Sequence, residues 1–301
     1  MLLVSQDKIT YRLKMPQIKI ASFNVNSIKA RLPRLLEWLK NSNPDVVLLQ
    51  ELKCVETEFP FEALFDVGYN SVVAGQKSYN GVAILSKFQI EDVIKVLPNA
   101  PILSNGEVTN LFGNQESQQA RYIEGVISVD GAAIRVASIY VPNGGGDLGE
   151  GEALENSKKF IYKLEFLEAL KAHFSNLAAF DEIQIFGGDF NVAVEEIDVF
   201  DVKSLRNTVC FHDFERQKFR SILNLGIVDS YRAFNSSHQA FSWWDYRGGS
   251  WQHNKGMRID YLLASSKAAD KICAAEIEDK GVRDQKKASD HCPVCVTINT
   301  I

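Results

Sequence analysis

Four carboxylates in this 301-residue chain stand where apolar runs end or begin. Glu51 follows Val46-Val47-Leu48-Leu49, Asp189 follows Ile183-Gln184-Ile185-Phe186-Gly187-Gly188, Asp260 heads Tyr261-Leu262-Leu263, and Asp290 lies just ahead of Pro293-Val294-Cys295-Val296. A hard divalent cation such as magnesium wants oxygen ligands of this kind and keeps several of its waters. Taken singly, each carboxylate is an ordinary turn or cap residue. Their company is less ordinary: Asn24, Tyr140 and Asn191 also follow apolar strands, and His291 also precedes one. If those strand ends gather at one edge of the fold, the polar residues converge there.

Within Gly187-Gly188-Asp189-Phe190-Asn191, two glycines predict a tight turn and a close backbone approach where the Asp and Asn appear. A carboxylate at such a place can orient or deprotonate water, and an amide two residues on can donate to a phosphate oxygen. The plainer alternative is an Asx turn. Ser289-Asp290-His291 sets a carboxylate directly beside an imidazole, and a His so partnered is raised in pKa toward a cation near neutrality. Its alternative is a packing histidine. His173, His212, His238 and His253 show no metal-ligand spacing and read as structural or exposed. An aromatic and basic cluster, Phe241-Ser242-Trp243-Trp244-Asp245-Tyr246-Arg247 with Trp251, Lys255 and Met257-Arg258-Ile259, is half core by its density. Its interleaved cations add the ingredients for recognising a single nucleotide, rings for sugar or base and charge for phosphate.

The elements that must position these residues follow from apolar periodicity. Strands are predicted at Ile18 to Phe23, Val46 to Leu49, Val82 to Leu85, Tyr122 to Val129, Ile134 to Tyr140, Ile183 to Phe186, Ile259 to Leu263 and Val294 to Ile298. Leu32, Leu35, Leu36 and Leu39 give a helix with Pro33 in its first turn. A long amphipathic helix fits Asn156 to Ala179 on a stripe of Phe160, Leu164, Leu167, Lys171 and Phe174, and another fits Asp213 to Leu225, stopped by Gly226. Strands that both alternate with helices and occur in adjacent pairs predict an α/β class of two mixed sheets packed face to face with helices outside.

Bulk properties narrow the partners. At 46% hydrophobic with no linker or repeat, the sequence predicts an extension over residues 1–17 and one compact domain over 18–301. A net charge of -5 argues against a broadly basic nucleic-acid face, yet leaves room for an enzyme that confines positive charge to a few side chains and a bound metal. Residues 1–17 interrupt their apolar positions with Asp7, Lys8, Arg12 and Lys14, unlike a signal peptide, so a cytoplasmic setting is the default. Five scattered cysteines make no disulfide framework. Cys292 and Cys295 sit at strand spacing that sends their thiols to opposite faces, and no second pair completes a zinc site.

Seven motifs in order, Ser22-Phe23-Asn24-Val25-Asn26, Leu49-Gln50-Glu51-Leu52-Lys53, Tyr79-Asn80-Gly81-Val82-Ala83-Ile84-Leu85-Ser86, Ile139-Tyr140-Val141-Pro142-Asn143-Gly144, Gly188-Asp189-Phe190-Asn191, Met257-Arg258-Ile259-Asp260-Tyr261 and Ser289-Asp290-His291-Cys292-Pro293, resemble the exonuclease III and abasic endonuclease family of the endonuclease/exonuclease/phosphatase superfamily. The resemblance runs from about Ile18 to the C-terminus. It implies a four-layered α/β sandwich of the deoxyribonuclease I type, a bound magnesium that manganese can replace, and attack of water on a DNA phosphodiester. It further implies a monomer acting on double-stranded DNA with abasic sites or 3' ends, away from membranes. In that scheme Glu51 is the main metal ligand, with Asn24, Asn26, Asp189, Asn191, Asp260, Asp290 and His291 near the ion or its waters. Either Asp189 or His291 serves as the base that activates water, Asp189 being the better candidate; Asn191 and Tyr140 hold the phosphate, Asp260 and His291 belong to the catalytic set, and Asp290 pairs with His291 as a dyad. Asn26, Lys53, Arg121, Asn143, Trp243, Met257 and Ile259 bind the substrate, the last three residues lining a pocket for a baseless sugar. Leu52 replaces a Thr frequent in the family, and the loop 144–150 is unusually acidic and glycine-rich, so no DNA contact is assigned to it. Two other functions compete: a same-superfamily hydrolase of another substrate class, such as an inositol phosphatase, sphingomyelinase or non-specific deoxyribonuclease, and a DNA-binding module without chemistry. Tyr140, where two-histidine members carry His, disfavours the first, and the intact acidic positions disfavour the second.

Overall fold

The computed structural model describes residues 16–104, 107–109, 119–145, 153–279 and 281–300. The extension before residue 16 and residues 146–150 of the 144–150 loop lie outside the described residues. Strands run over β1 Gln17–Asn24, β2 Val46–Gln50, β3 Asn70–Ala74, β4 Val82–Ser86, β5 Ile90–Ile94, β6 Ile102–Ser104, β7 Glu107–Thr109, β8 Tyr122–Val129, β9 Ala132–Tyr140, β10 Ile183–Asp189, β11 Val228–Asp229, β12 Asp260–Ala264, β13 Ile272–Ile277 and β14 Val294–Asn299. Helices are α1 Ile28–Ser42, α2 Phe61–Phe65, α3 Lys158–Leu177, α4 Val202–Leu205, α5 Asp213–Leu223, α6 Ser230–Phe234 and α7 Ser266–Ala269. Among the described residues no helix is long and apolar enough to cross a membrane.

Two six-stranded sheets carry the molecule, ordered β13-β14-β1-β2-β4-β3 and β11-β12-β10-β9-β8-β5. Their facing sides bury Ile20, Leu48, Ile84, Ile123, Val136, Ile185, Leu262 and Val296 in one apolar layer. The outer face of the first sheet packs against α1 through Leu35, Trp38 and Leu39, and that of the second against α3 and α5 through Phe166, Leu170, Phe219 and Ile222. This is the expected four-layered sandwich. The CxxC thiols diverge as their spacing requires, Cys292 packing with Phe241 and Trp244 and Cys295 with Val47 and Leu49 in another cluster.

Local chemistry explains the boundaries and corrects three expectations. Gln17 already pairs with Asn299, and Thr300 donates to the Pro16 carbonyl, so β1 begins one residue before the expected start. Helix α1 opens at Ile28 because the Ser27 side chain accepts from the Ala30 amide, which puts Pro33 inside the helix and not in its first turn. On α3, capped by Ser157, the buried stripe includes Tyr162, Lys163, Phe166, Leu170 and His173, while Leu164 and Lys171 are half-buried. Strands β3, β5 and β13, absent from the sequence reading, lie at or near sheet edges, where exposed positions break the apolar runs.

Topology delivers the polar residues to one edge. β1 and β2 are parallel with Asn24 opposite Gln50, so Asn24 and Glu51 leave the first sheet together. β9 and β10 are parallel with Asp189 opposite Tyr140, and antiparallel β12 starts at Asp260 opposite Asp189. Carboxyl ends of parallel strands and the amino end of an antiparallel one therefore share an edge.

The glycine pair serves space and not a turn. Gly187 and Gly188 are residues of β10 itself, and neither has the positive φ a left-handed turn would need. A Cβ on Gly187 would lie 2.5 Å from Leu48 Cδ1 of the facing sheet, and one on Gly188 would lie 2.0 Å from the Ile139 carbonyl oxygen of β9. Side-chain tips can give way and strand backbone cannot. Gly187→Ala should therefore cost about 1–3 kcal/mol as ordinary overpacking. Gly188→Ala should cost more, in urea denaturation of the two variants beside wild type. Equal losses would show that the β9 contact yields as easily as a leucine methyl.

Candidate active site

The edge is organised around Asp189, which is 1% exposed. Its Oδ1 accepts from the Asn191 amide at 2.9 Å, and its Oδ2 accepts from Asn24 Nδ2 at 2.9 Å. The same Asn24 amide donates to Glu51 Oε1 at 2.9 Å, so one neutral side chain bridges two carboxylates. Glu51 sits at φ 54, a left-handed conformation that turns its carboxylate back toward the edge, and Lys53 Nζ approaches its Oε2 at 2.8 Å. The same ammonium donates to Asn26 Oδ1 at 2.5 Å. Asn26 in turn donates to Asp290 Oδ1 at 2.8 Å, and the other Asp290 oxygen accepts from Trp243 Nε1 at 3.1 Å.

His291 completes the group with a different partner from the expected one. Its Nδ1 lies 2.9 Å from Asp260 Oδ2, and its Nε2 lies 3.7 Å from Asp189 Oδ2. The Asp290–His291 dyad is thus replaced by Asp260–His291, since neighbours in an extended chain point to opposite sides. Ser242 secures Asp260: its Oγ donates to Asp260 Oδ2 at 2.6 Å and accepts from the Ile259 and Asp260 amides at 3.1 Å. Sequence reasoning missed Ser242. Its one signal is a small hydroxyl residue inside a run of aromatics.

Burial and charge act together on the protons. Burial drives the Asp189 carboxyl up to about 7, with the carboxylates of Asp260 and Glu51 adding to it and His291 opposing. Burial works against a charged His291, but Asp260 and Asp189 override it and raise the ring to about 10. Burial alone would also raise Glu51, yet Lys53 and Asn24 hold it below the usual carboxylate range. Burial and the Glu51 charge push the Tyr140 phenol well above its ordinary value, so it stays neutral. Arg121 lies 4.8 Å over the Tyr140 ring, and its Nη1 donates to the Tyr140 carbonyl at 3.2 Å.

Glu51, Asp189 and His291 offer ligand atoms all within 4.8 Å of one another, a spacing that fits a divalent cation. The donor chemistry favours a hard ion held chiefly by the two carboxylates. Asp290 stands outside this trio with both oxygens engaged. Asn191 also stands outside the trio: its Nδ2 donates one of its two hydrogens to the Val141 carbonyl at 2.9 Å, and its Oδ1 accepts from Asn143 Nδ2 at 3.2 Å. Trp243 and Met257 form a backbone bridge and share a cluster with Ile259, so the three expected pocket residues do meet. Met257 and Ile259 are buried at 7% and 2% exposed, while Trp243 is half-buried.

Comparison with known proteins gives the chain a family. The described edge falls inside a match to the endonuclease/exonuclease/phosphatase family over residues 21–291. The chain belongs to that family. The exodeoxyribonuclease of Bacillus subtilis is 30% identical over 286 residues, covering 94% of this chain and all of the relative. An AP endonuclease from Archaeoglobus fulgidus superposes with TM-score 0.80 at 34% identity, covering 94% of this chain and 99% of that one. A 3'-5' exonuclease from Neisseria meningitidis superposes with TM-score 0.81 at 32% identity, covering 94% of this chain and the whole of that one. The two mixed sheets are the sandwich of these family structures.

Ligation should be visible as stability. A cation needs Asp189 ionised, whereas the folded protein without metal holds a proton on it up to about pH 7. The raised Asp189 favours the metal-free fold fully below its unfolded pKa, and that contribution is lost as pH rises through 7. Added magnesium or manganese should therefore raise Tm in thermal unfolding, and the increment should grow from about pH 5.5 to about pH 8. An increment that stays flat or shrinks over that range would place the ion away from Asp189.

Proposed function

We propose that the protein is a divalent-metal-dependent DNA phosphodiesterase of base excision repair. It incises 5' to abasic sites and trims 3' ends as a 3'-to-5' exonuclease and 3'-phosphodiesterase or phosphatase. The observation that carries this reading is Asp189, buried with a raised pKa between the Asn24–Glu51 pair and the Asp260–His291 pair. The names of relatives add support: an exodeoxyribonuclease III of Haemophilus influenzae, and a 3' phosphatase from Neisseria solved with product DNA hairpin.

Glu51 and Asp189 are the oxygen donors for magnesium, with manganese as a substitute, and Asn24 holds the two in register. Bound there, the ion supplies Lewis-acid polarisation of a phosphoryl oxygen and offsets the negative charge of the edge. Asp189, ionised when the cation is bound and buried beside the Asn191 amide and Asn24, takes the proton of the attacking water. His291, kept cationic by Asp260, presents Nε2 on the Asp189 side as a hydrogen-bond donor to a phosphate oxygen. In this reading the base is Asp189 and not His291, because the Asp260 carboxylate at 2.9 Å from Nδ1 favours the ring's charged form. Tyr140, neutral across the same range, and Asn191 act as donors to the phosphate.

Asn26, Lys53, Arg121, Asn143 and Trp243 contact the DNA, with Met257 and Ile259 supporting Trp243 from below. A baseless sugar fits a small apolar slot where a nucleotide would need room for its base, and that difference selects abasic sites. The protein acts as a cytoplasmic monomer on duplex DNA, which sedimentation and cell fractionation test directly.

Purified protein with magnesium should cut an abasic duplex and a nicked duplex, lose both activities in excess chelator, and leave a lipid phosphodiester intact. Cleavage of the lipid alone would transfer the site to another substrate class. Asp189→Asn should keep the fold and lower kcat by about a hundred- to ten-thousand-fold, the usual worth of a positioned proton transfer. A loss under about threefold would reduce Asp189 to a turn residue. Trp243→Ala should weaken abasic incision by roughly 1–3 kcal/mol, as loss of an aromatic platform does. The same loss on a small phosphodiester would assign Trp243 to the core.

A further inference from the structure

Beneath this edge lies a charged pair that the proposed chemistry does not use. Lys163 of α3 is 0% exposed and forms an ion pair with Glu215 of α5, itself fully buried. The Lys163 ammonium also donates to the Asn191 carbonyl at 2.6 Å and to the Asn143 carbonyl at 3.1 Å. A buried ion pair is a poor stabiliser compared with apolar side chains of the same volume, because two charges must leave water. The direction of its hydrogen bonds is therefore the better guide to its role.

Those bonds join the two loops that leave β9 and β10. Asn191 is held at φ 51, in the left-handed region, and its side chain is tied to Val141 and Asn143 of the other loop. The β9 loop lies directly on the lysine stem: Gly144 has φ +88, and a Cβ there would stand 2.9 Å from Lys163 Cδ. The first residue of the glycine-rich loop thus lets Asn143 approach the ammonium. Glu215 is fixed in turn, because its Oε1 accepts from the His212 amide at 2.8 Å in a helix capping box.

We propose that Lys163, anchored by Glu215, is a positioning residue that pins the carbonyls of Asn143 and Asn191 and so fixes the Asn191 amide for the phosphate. This rests on the reading of Asn191 as a phosphate donor given above. The loop tie itself is a property of the protein whatever its substrate.

The double variant Lys163→Met/Glu215→Gln removes both charges with little change of volume and keeps an acceptor for the His212 amide. In the full-length protein, deuterium exchange read by mass spectrometry should accelerate about tenfold or more in peptides covering 141–145 and 190–194, and stay unchanged in the β10 core. On abasic DNA with magnesium, kcat should fall about tenfold to a hundredfold with KM little altered, as expected for misplacement of a group by about an ångström. Adding Asn191→Ala should then cost far less kcat than it does in the wild-type background, since both changes would remove one interaction. Unchanged exchange in the two loops, a kcat within threefold of wild type, or fully multiplicative losses would each overturn the proposal. If wild-type protein cuts no DNA while the two loops do loosen, the functional reading fails and the loop tie stands. Should the double variant not fold, Gly144→Ala displaces the same loop from Lys163 and is held to the same exchange and kcat criteria.

Discussion

Glu51, Asp189 and Asp260 are confined at one buried edge, and their mutual repulsion governs how everything around them is arranged. Low-dielectric surroundings magnify such repulsion, and a fold can meet it with counter-charge, with neutral donors, or by leaving one group protonated. All three devices are present. Lys53 answers Glu51, Asn24 donates to Glu51 and Asp189 together, His291 lies between Asp260 and Asp189, and Asp189 keeps its proton to about pH 7. A divalent ion would be a fourth device, and the one that frees Asp189 to ionise. The edge is thus preorganised for a cation and for a phosphate, at a cost in stability that the two apolar layers flanking each sheet offset.

Much of this edge is legible in the sequence, because strand ends are written locally. A run of buried aliphatics followed by a polar residue marks Asn24, Glu51, Tyr140 and Asp189 without any knowledge of pairing. What escapes is whatever depends on register between distant strands. The Asp260–His291 bond arises because β12 pairs with β10 while the chain around Trp243 bridges both Met257 and His291. Adjacent residues suggest the wrong partner for His291, since an extended chain sends Asp290 outward to Asn26 and Trp243. The glycine pair misleads for a related reason: a glycine looks the same in sequence whether it supplies a turn or room for a neighbouring strand. Lys163 is hidden by the normal habit of helical lysines, which carry their ammonium to water.

The two halves of the sandwich contribute unlike things. The first sheet supplies Asn24, Glu51 and Lys53, a charge-balanced set that holds oxygen ligands in place. The second supplies Asp189, Tyr140 and Asp260, in register on three adjacent strands, and these are the groups with strongly displaced protons or a direct bond to one. The two sets meet only because the apolar layer between the sheets is tight enough that Leu48 takes the space a Cβ on Gly187 would need. Packing in the centre of the sandwich is in this sense part of the site, since sliding one sheet by a fraction of a side chain would separate Asn24 from Asp189.

Tyr140 links this arrangement to substrate class. Relatives that hydrolyse through two histidines would place a second imidazole here, beside Glu51 and Asp189. Those carboxylates would favour the charged form of such a ring, as Asp260 and Asp189 do for His291, and the edge would then hold two imidazolium cations. A phenol avoids this outcome, because burial and the Glu51 charge keep it neutral and able to donate at any working pH. The guanidinium of Arg121 over its ring supplies positive charge beside the phenol without adding a second titrating group. Charge for binding and protons for chemistry are kept on separate residues, which suits a polymer substrate that must be gripped at several phosphates and cut at one.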